Sequence, residues 1–171
     1  MPLYEFNEAR PQVGKGTWIA PSAEIIGDVT IGRNCYIGFG AVIRADFGPV
    51  RIGDGSLVEE NVVIHTADHT RIGEQVIIGH MAMIHDAMIH DRSLIGMKSM
   101  ICERAIIGEG AIIAEQTLVL KDQEIPPFSV YAGAPAKFKK KVDAGHRRKM
   151  DSGLKAYADL VKLYHETFKV R

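Results

Sequence analysis

The stretch Ile72–Ile101, IGEQVIIGHMAMIHDAMIHDRSLIGMKSMI, repeats itself. Isoleucine stands at 72, 78 and 84 and, after one gap of five, at 89, 95 and 101. Extended outward, the same register runs from Ile19 through Ile25, Ile31 and Ile37 to Ile43, resumes at Ile52, Val58 and Ile64, and continues beyond Ile101 to Ile107, Ile113, Val119 and Ile125. Only the joints 43 to 52, 64 to 72 and 84 to 89 depart from six. A second register supports the first: four residues after the aliphatic position the side chain is small, as at Ala23, Cys35, Ala41, Ser56, Ala82, Ser99, Ala111 and Thr117. A period of six matches neither the 3.6 of a helix nor the 2 of a long strand, but it suits short strands joined by tight turns. Glycines directly after the aliphatic residue, among them Gly32, Gly53, Gly73 and Gly96, fit backbone that turns or packs closely.

The 171 residues are read as one domain, with 21 Lys and Arg balancing 21 Asp and Glu, so no global charge points to nucleic acid or to an anionic membrane. The opening MPLYEFNEARP does not resemble a signal peptide and no segment approaches the length of a membrane span, which makes the cytoplasm the expected location. Cys35 and Cys102 are too few for a disulfide framework. Cys35 takes a small inward slot.

The double register resembles the hexapeptide-repeat family over about Ile19 to Ile125. That resemblance implies an all-β fold: a left-handed parallel β-helix of triangular section, three hexads to a turn, in about six coils stacked at about 4.8 Å. The expected layout is a prism domain over 1–135, lead-in included, and a C-terminal helical segment over 136–171. In that segment Leu154, Tyr157, Leu160, Val161, Tyr164 and Phe168 share one helical side, with Ser152 as N-cap. The helix is expected to pack on the prism or on a neighbouring subunit. The run KFKKK (Lys137–Lys141) reads as its solvated approach, and His146 and His165 as surface residues.

Three hexads per turn give every outward residue an address. With face A beginning at Ile64, face B at Ile72 and face C at Ile78, His65 and His85 fall in the same slot of face A, one coil apart. Their backbones are then one strand spacing apart, close enough for two imidazoles to converge on one ion. His80 belongs to face C and diverges from that pair within its own chain. A threefold arrangement that sets face A of one prism against face C of the next joins it to a neighbour's pair. Three imidazoles with an open fourth position form a catalytic zinc set. The competing reading is stacked polar residues at a subunit contact. His69, in the loop TADHTR, His90, on face B, and Cys102, which continues the column, read as structural or solvated, and Met81, Met83, Met88, Met97 and Met100 as interface packing.

The segments VIRADFG (Val42–Gly48), VEENVVIH (Val58–His65), IIGHMAMIH (Ile77–His85) and LIGMKS (Leu94–Ser99) resemble the γ-class carbonic anhydrase branch of that family. The resemblance implies a homotrimer. In it His65 and His85 of one subunit and His80 of its neighbour bind Zn2+, with Fe2+ or Co2+ as other occupants, and zinc-bound hydroxide hydrates carbon dioxide reversibly to bicarbonate. It assigns Arg44 and Asp46 to an interfacial pair that frames the site, and Tyr131, in VYAGAP, to its vicinity. Where the branch carries Gln-Asp before its first ligand, this chain has Glu59 and Glu60; an ionised Glu only accepts hydrogen bonds, so Glu59 reads either as a base or as a change that impairs activity. Phe47 stands where relatives place an acidic proton shuttle. The DFG after Arg44 and the C-terminal helix are most similar to the carnitine-operon and phenylacetate-degradation accessory proteins. That similarity adds an acyl-CoA thioesterase on the same metal as the alternative, beside a non-catalytic scaffold stapled by metal.

Overall fold

The computed structural model describes residues 3–169, over which the chain winds as a parallel β-helix followed by one α-helix, α1 (Ala144–Thr167). The outer ends of the two expected segments, residues 1–2 and 170–171, lie outside the described residues. Face C stacks Trp18–Ile19, Tyr36–Ile37, Leu57–Val58, Ile77–Ile78, Leu94–Ile95, Ile112–Ile113 and Ser129–Ala132, each parallel to the next. Faces A and B share the long strands Glu24–Ile31 and Val42–Ile52, which bend round their common corner, and then separate into Val63–His65 and its stack and Thr70–Ile72 and its stack.

The solenoid makes about seven turns rather than six, because it extends beyond the regular repeat at both ends. Leu3–Tyr4 and Gln12–Val13 pair parallel with Glu24–Ile31, and Ser129–Ala132 adds a last rung on Ile112–Ile113. The run Lys137–Lys141, the expected solvated approach to the helix, is exposed at every residue and is also ordered. It is an antiparallel strand on Ser129–Ala132, fully exposed, whose lysines blunt the sheet edge where the coils end.

The two sequence registers are the two inward positions of each rung. Ile25, Ile43, Ile64, Ile84 and Ile101 stack along face A without solvent exposure, and Ala41, Val62, Ala82 and Ser99 fill the tapering corners. Each such isoleucine contributes about 1.5–3 kcal/mol relative to an exposed one. Buried serines in the small slot meet carbonyls of the next coil; Ser56 Oγ donates to the Gly73 oxygen at 2.8 Å. Of the two roles open to the recurrent glycines, close approach is the one they play: a Cβ on Gly53 would lie 2.6 Å from the Gly73 carbonyl carbon. The left-handed backbone of each turn falls two residues later, at Gln75 (φ 53°), Met81 (φ 61°) and Lys98 (φ 59°).

Helix α1 is capped nine residues earlier than Ser152. Its N-cap is Asp143, whose carboxylate accepts from the His146 backbone N–H at 2.9 Å, while Ser152 lies inside the helix and donates to the Arg148 carbonyl at 2.8 Å. The expected apolar side packs on face C of its own chain. Tyr164 stacks on Trp18 with centroids 4.2 Å apart, Tyr157 meets Tyr36 edge-on at 4.8 Å, and Gly153 passes Ile77. His165 is exposed as expected, but His146 is partly covered by its capping role. Of the three faces, C is thus covered, B presents Arg51 and Arg71 to solvent, and A leaves Val63 and Met100 exposed.

Candidate metal centre

All three irregular joints in the repeat fall at the same corner, between faces A and B. The added residues there build the strand extension Arg44–Arg51 and the loop 66–69. Beside that corner stand Arg44, His65 and His85, the same rung position on successive coils: Arg44 pairs with His65 and His65 with His85. The two imidazole centroids are 5.2 Å apart and their planes are tilted by 58°. Asp46 reaches the same column, with Oδ1 3.1 Å from His65 Nε2 and Oδ2 accepting from Arg44 Nη1 at 2.9 Å. Phe47, 74% exposed, meets His65 edge-on with ring centroids 6.0 Å apart.

Asp86, absent from the sequence reading, organises the loop. Its Oδ1 accepts from the Thr66 hydroxyl at 2.6 Å and from the backbone N–H groups of Ala67 and Asp68 at 2.7 and 2.9 Å. Burial works to raise its carboxyl pKa, but those three donors together hold it below the ordinary value. The signal was its place directly after His85, at the shortened joint.

His80 stands not on the flat of face C but in the turn that leaves it for face A, next to Met81. Its surroundings are acidic. Nδ1 lies 2.7 Å from Glu60 Oε2, Nε2 lies 3.1 Å from Glu59 Oε2, and the backbone N–H donates to the same Glu59 oxygen at 3.1 Å. Glu60 holds the turn position one coil below His80, and Glu59 lies beneath Gly79. Glu59 is 8% exposed, and burial pushes its carboxyl above the usual range against the pull of His80 and of the Tyr157 hydroxyl. Tyr131 is placed three rungs above Ile77–Ile78, the strand that precedes His80, and packs on Phe138, so within one chain it is not brought to the histidines.

No group of three His, Cys, Asp or Glu able to hold a metal gathers in one chain among the described residues. The donor chemistry fits a shared ion better than an internal one. Two in-register imidazoles would supply half of a tetrahedral set, that of His65 held by the Asp46 carboxylate, of the kind that orients a ligating histidine, and a third imidazole backed by Glu60 stands at another corner. Two clefts flank these groups. One, of about 440 Å3, runs between α1 and face C past Ile77, Met150 and Tyr157 to Glu59. The other, of about 420 Å3, runs on face A from His85 past Met100 and Cys102 to Lys121.

The model of bacterial transferase hexapeptide repeats matches residues 10–45, and that of the succinyl-transferase hexapeptide repeat matches 28–66. A carbonic anhydrase of Geobacillus kaustophilus is 34% identical over 95% of this chain and 90% of its own length. Gamma carbonic anhydrase 2 of Arabidopsis thaliana mitochondria is 32% identical over 95% of this chain; the chain spans 61% of that relative's length. The crystal structure of a hexapeptide transferase family protein from Anaplasma phagocytophilum superposes with a TM-score of 0.92 at 31% identity, covering 95% of this chain and 97% of that one.

Proposed function

This chain belongs to the γ-carbonic anhydrase branch of the hexapeptide-repeat family, and from that premise we propose that it hydrates carbon dioxide reversibly at a metal ion shared between subunits of a homotrimer. The observation that carries the proposal is the in-register pair His65 and His85, two members of a three-histidine set whose third has a counterpart in His80. His65 and His85 of one subunit and His80 of the next would hold zinc, or iron(II) or cobalt(II) in its place. Bound there, the metal supplies Lewis acidity that brings the ionisation of water close to neutral pH.

The chain's own residues do the rest. Asp46 orients the His65 ring, and Arg44 fixes Asp46 from the same column. Glu60 accepts the Nδ1 proton of His80, which leaves Nε2 as the donor atom. Glu59 presents a carboxylate where relatives carry an amide, so it accepts a proton from water at the site rather than donating a hydrogen bond to it. Met83, Met100 and the Phe47 ring edge give carbon dioxide an apolar approach.

A thioesterase acting on acyl-CoA is the second reading, favoured by the cleft beside His85, which is larger than carbon dioxide requires and ends at Lys121. Stopped-flow hydration of carbon dioxide, measured beside a panel of acyl-CoA thioesters on protein of known metal content, separates the two. Hydration that tracks metal occupancy upholds the proposal. Thioester cleavage alone would transfer the site to the second reading, and neither activity on fully loaded protein would leave a metal-stapled scaffold.

A further inference from the structure

Two tyrosines, one buried and one half-buried, sit behind His80 and serve no packing need that a phenylalanine would not meet. Tyr36, on face C, is 1% exposed, and its hydroxyl donates to Glu60 Oε1 at 2.5 Å. Tyr157, on α1, meets Tyr36 edge-on at 4.8 Å and lines, together with Glu59, the cleft between α1 and face C. Each glutamate therefore has a tyrosine on one side and His80 on the other. A hydroxyl inside an apolar layer is costly unless bonded, and a carboxylate beside it is held to one rotamer by the bond.

The arrangement resolves a conflict within the turn. Glu59 Oε2 faces both the His80 backbone N–H and Nε2, each at 3.1 Å, yet Nε2 must be free of a carboxylate to serve as a ligand. A hydroxyl that draws Glu59 toward α1 while the backbone N–H retains it loosens its hold on Nε2 and leaves Nδ1 to Glu60.

We propose that Tyr157 and Tyr36 are positioning residues for the metal site, so that the docked C-terminal helix sets the orientation of His80 through Glu59 and Glu60. The proposal rests on the reading of His80 as a metal ligand. It makes α1 part of the site's frame, although no residue of α1 is a ligand in that reading.

The test uses the full-length protein and measures zinc affinity by competition with a chromophoric chelator, and the visible spectrum of the cobalt(II) form, in Tyr157→Phe, Tyr36→Phe, Glu59→Ala and the double variant Tyr157→Phe/Glu59→Ala. Trp18, the single tryptophan, stacks on Tyr164 of α1, so its emission reports whether the helix remains docked. Expected is a loss of zinc affinity of about 10-fold in Tyr157→Phe with unchanged Trp18 emission, the scale found when a group supporting a ligand is removed. The double variant should bind no more weakly than its weaker parent, because both changes break one contact; a purely packing role for Tyr157 gives additive losses instead.

Wild-type affinity in Tyr157→Phe, or additive losses, overturns the helix-borne half of the proposal. Wild-type affinity in Tyr36→Phe, which lies beneath the helix and alters no α1 residue, overturns the other half. His80→Ala separates the two levels: if it retains zinc, the ligand reading has failed, whereas zinc loss in His80→Ala beside wild-type tyrosine variants defeats the positioning proposal alone.

Discussion

His65 and His85 face the same way from adjacent coils, paired backbone to backbone with ring centroids 5.2 Å apart. Parallel coils repeat at the strand spacing, so this proximity follows from the winding and needs no local distortion. Replacing either by Ala should therefore remove metal without unwinding the prism. Zinc affinity is expected to fall by more than the roughly 10–100-fold that loss of a merely supporting group costs. The unfolding free energy should change by about 1 kcal/mol. Metal analysis by mass spectrometry and a urea titration followed by circular dichroism check both halves.

Asp86 gathers the loop 66–69 through three hydrogen bonds, one of them from the buried hydroxyl of Thr66. Asp86→Ala leaves that hydroxyl and two backbone N–H groups without their acceptor, an expected loss of about 2–3 kcal/mol. Gly48→Ala should act on the same loop from the other side, since a Cβ there would lie 1.7 Å from the Asp68 carbonyl oxygen. Its cost is about 1–3 kcal/mol as the backbone yields. Both variants should expose the amides of Ala67 and Asp68 to hydrogen exchange while the isoleucine rungs stay protected.

The Asp143 carboxyl is held down at about 2 by the His146 backbone N–H and side chain. A carboxylate with a depressed folded pKa stabilises the folded state at any pH above its unfolded value, and that contribution disappears as pH falls through the folded one. The window for Asp143 therefore runs from about 4 down to about 2. Trp18 fluorescence during acid titration should show α1 leaving face C in that range. Asp143→Ala should weaken docking at neutral pH and flatten this part of the acid transition.

The prism was legible because an inward rung position tolerates only aliphatic and small residues, so Ile72, Ile78 and Ile84 repeat without ambiguity. The same arithmetic brought His65 onto His85, and, applied to acids as well, would have set Glu60 beneath His80. Three features were hidden for physical reasons. Lys137–Lys141 is a strand because the last coil needs a backbone partner, and five exposed side chains carry no alternation to announce it. The start of α1 was misplaced because its cap pairs Asp143 with His146 rather than with Glu or Gln, and its first turns bury little besides Met150. Asp86 acts through backbone donors of a loop whose fold no periodicity encodes.

Face A is where the proposed assembly is most exposed to test. Val63, Met100 and Leu120 are 37, 43 and 45% exposed on it, while α1 covers face C and face B carries arginines. Burying such side chains against a second prism contributes about 25 cal/mol per Å2 of apolar area, and a charge placed among them reverses the sign. Met100→Glu and Leu120→Glu are expected to raise the dissociation constant of the assembly by about 100-fold or more, the effect of roughly 3 kcal/mol. Sedimentation should then find the 18.8 kDa chain in place of a particle three times its mass. Leu120 stands two coils above His85 and outside the cleft that Met100 shares with it, so in Leu120→Glu zinc stoichiometry measured across the same dilution series carries a separate meaning. Zinc lost in step with the trimer requires ligands from two chains; zinc retained by the monomer would mean that His80 is not contributed by a neighbour.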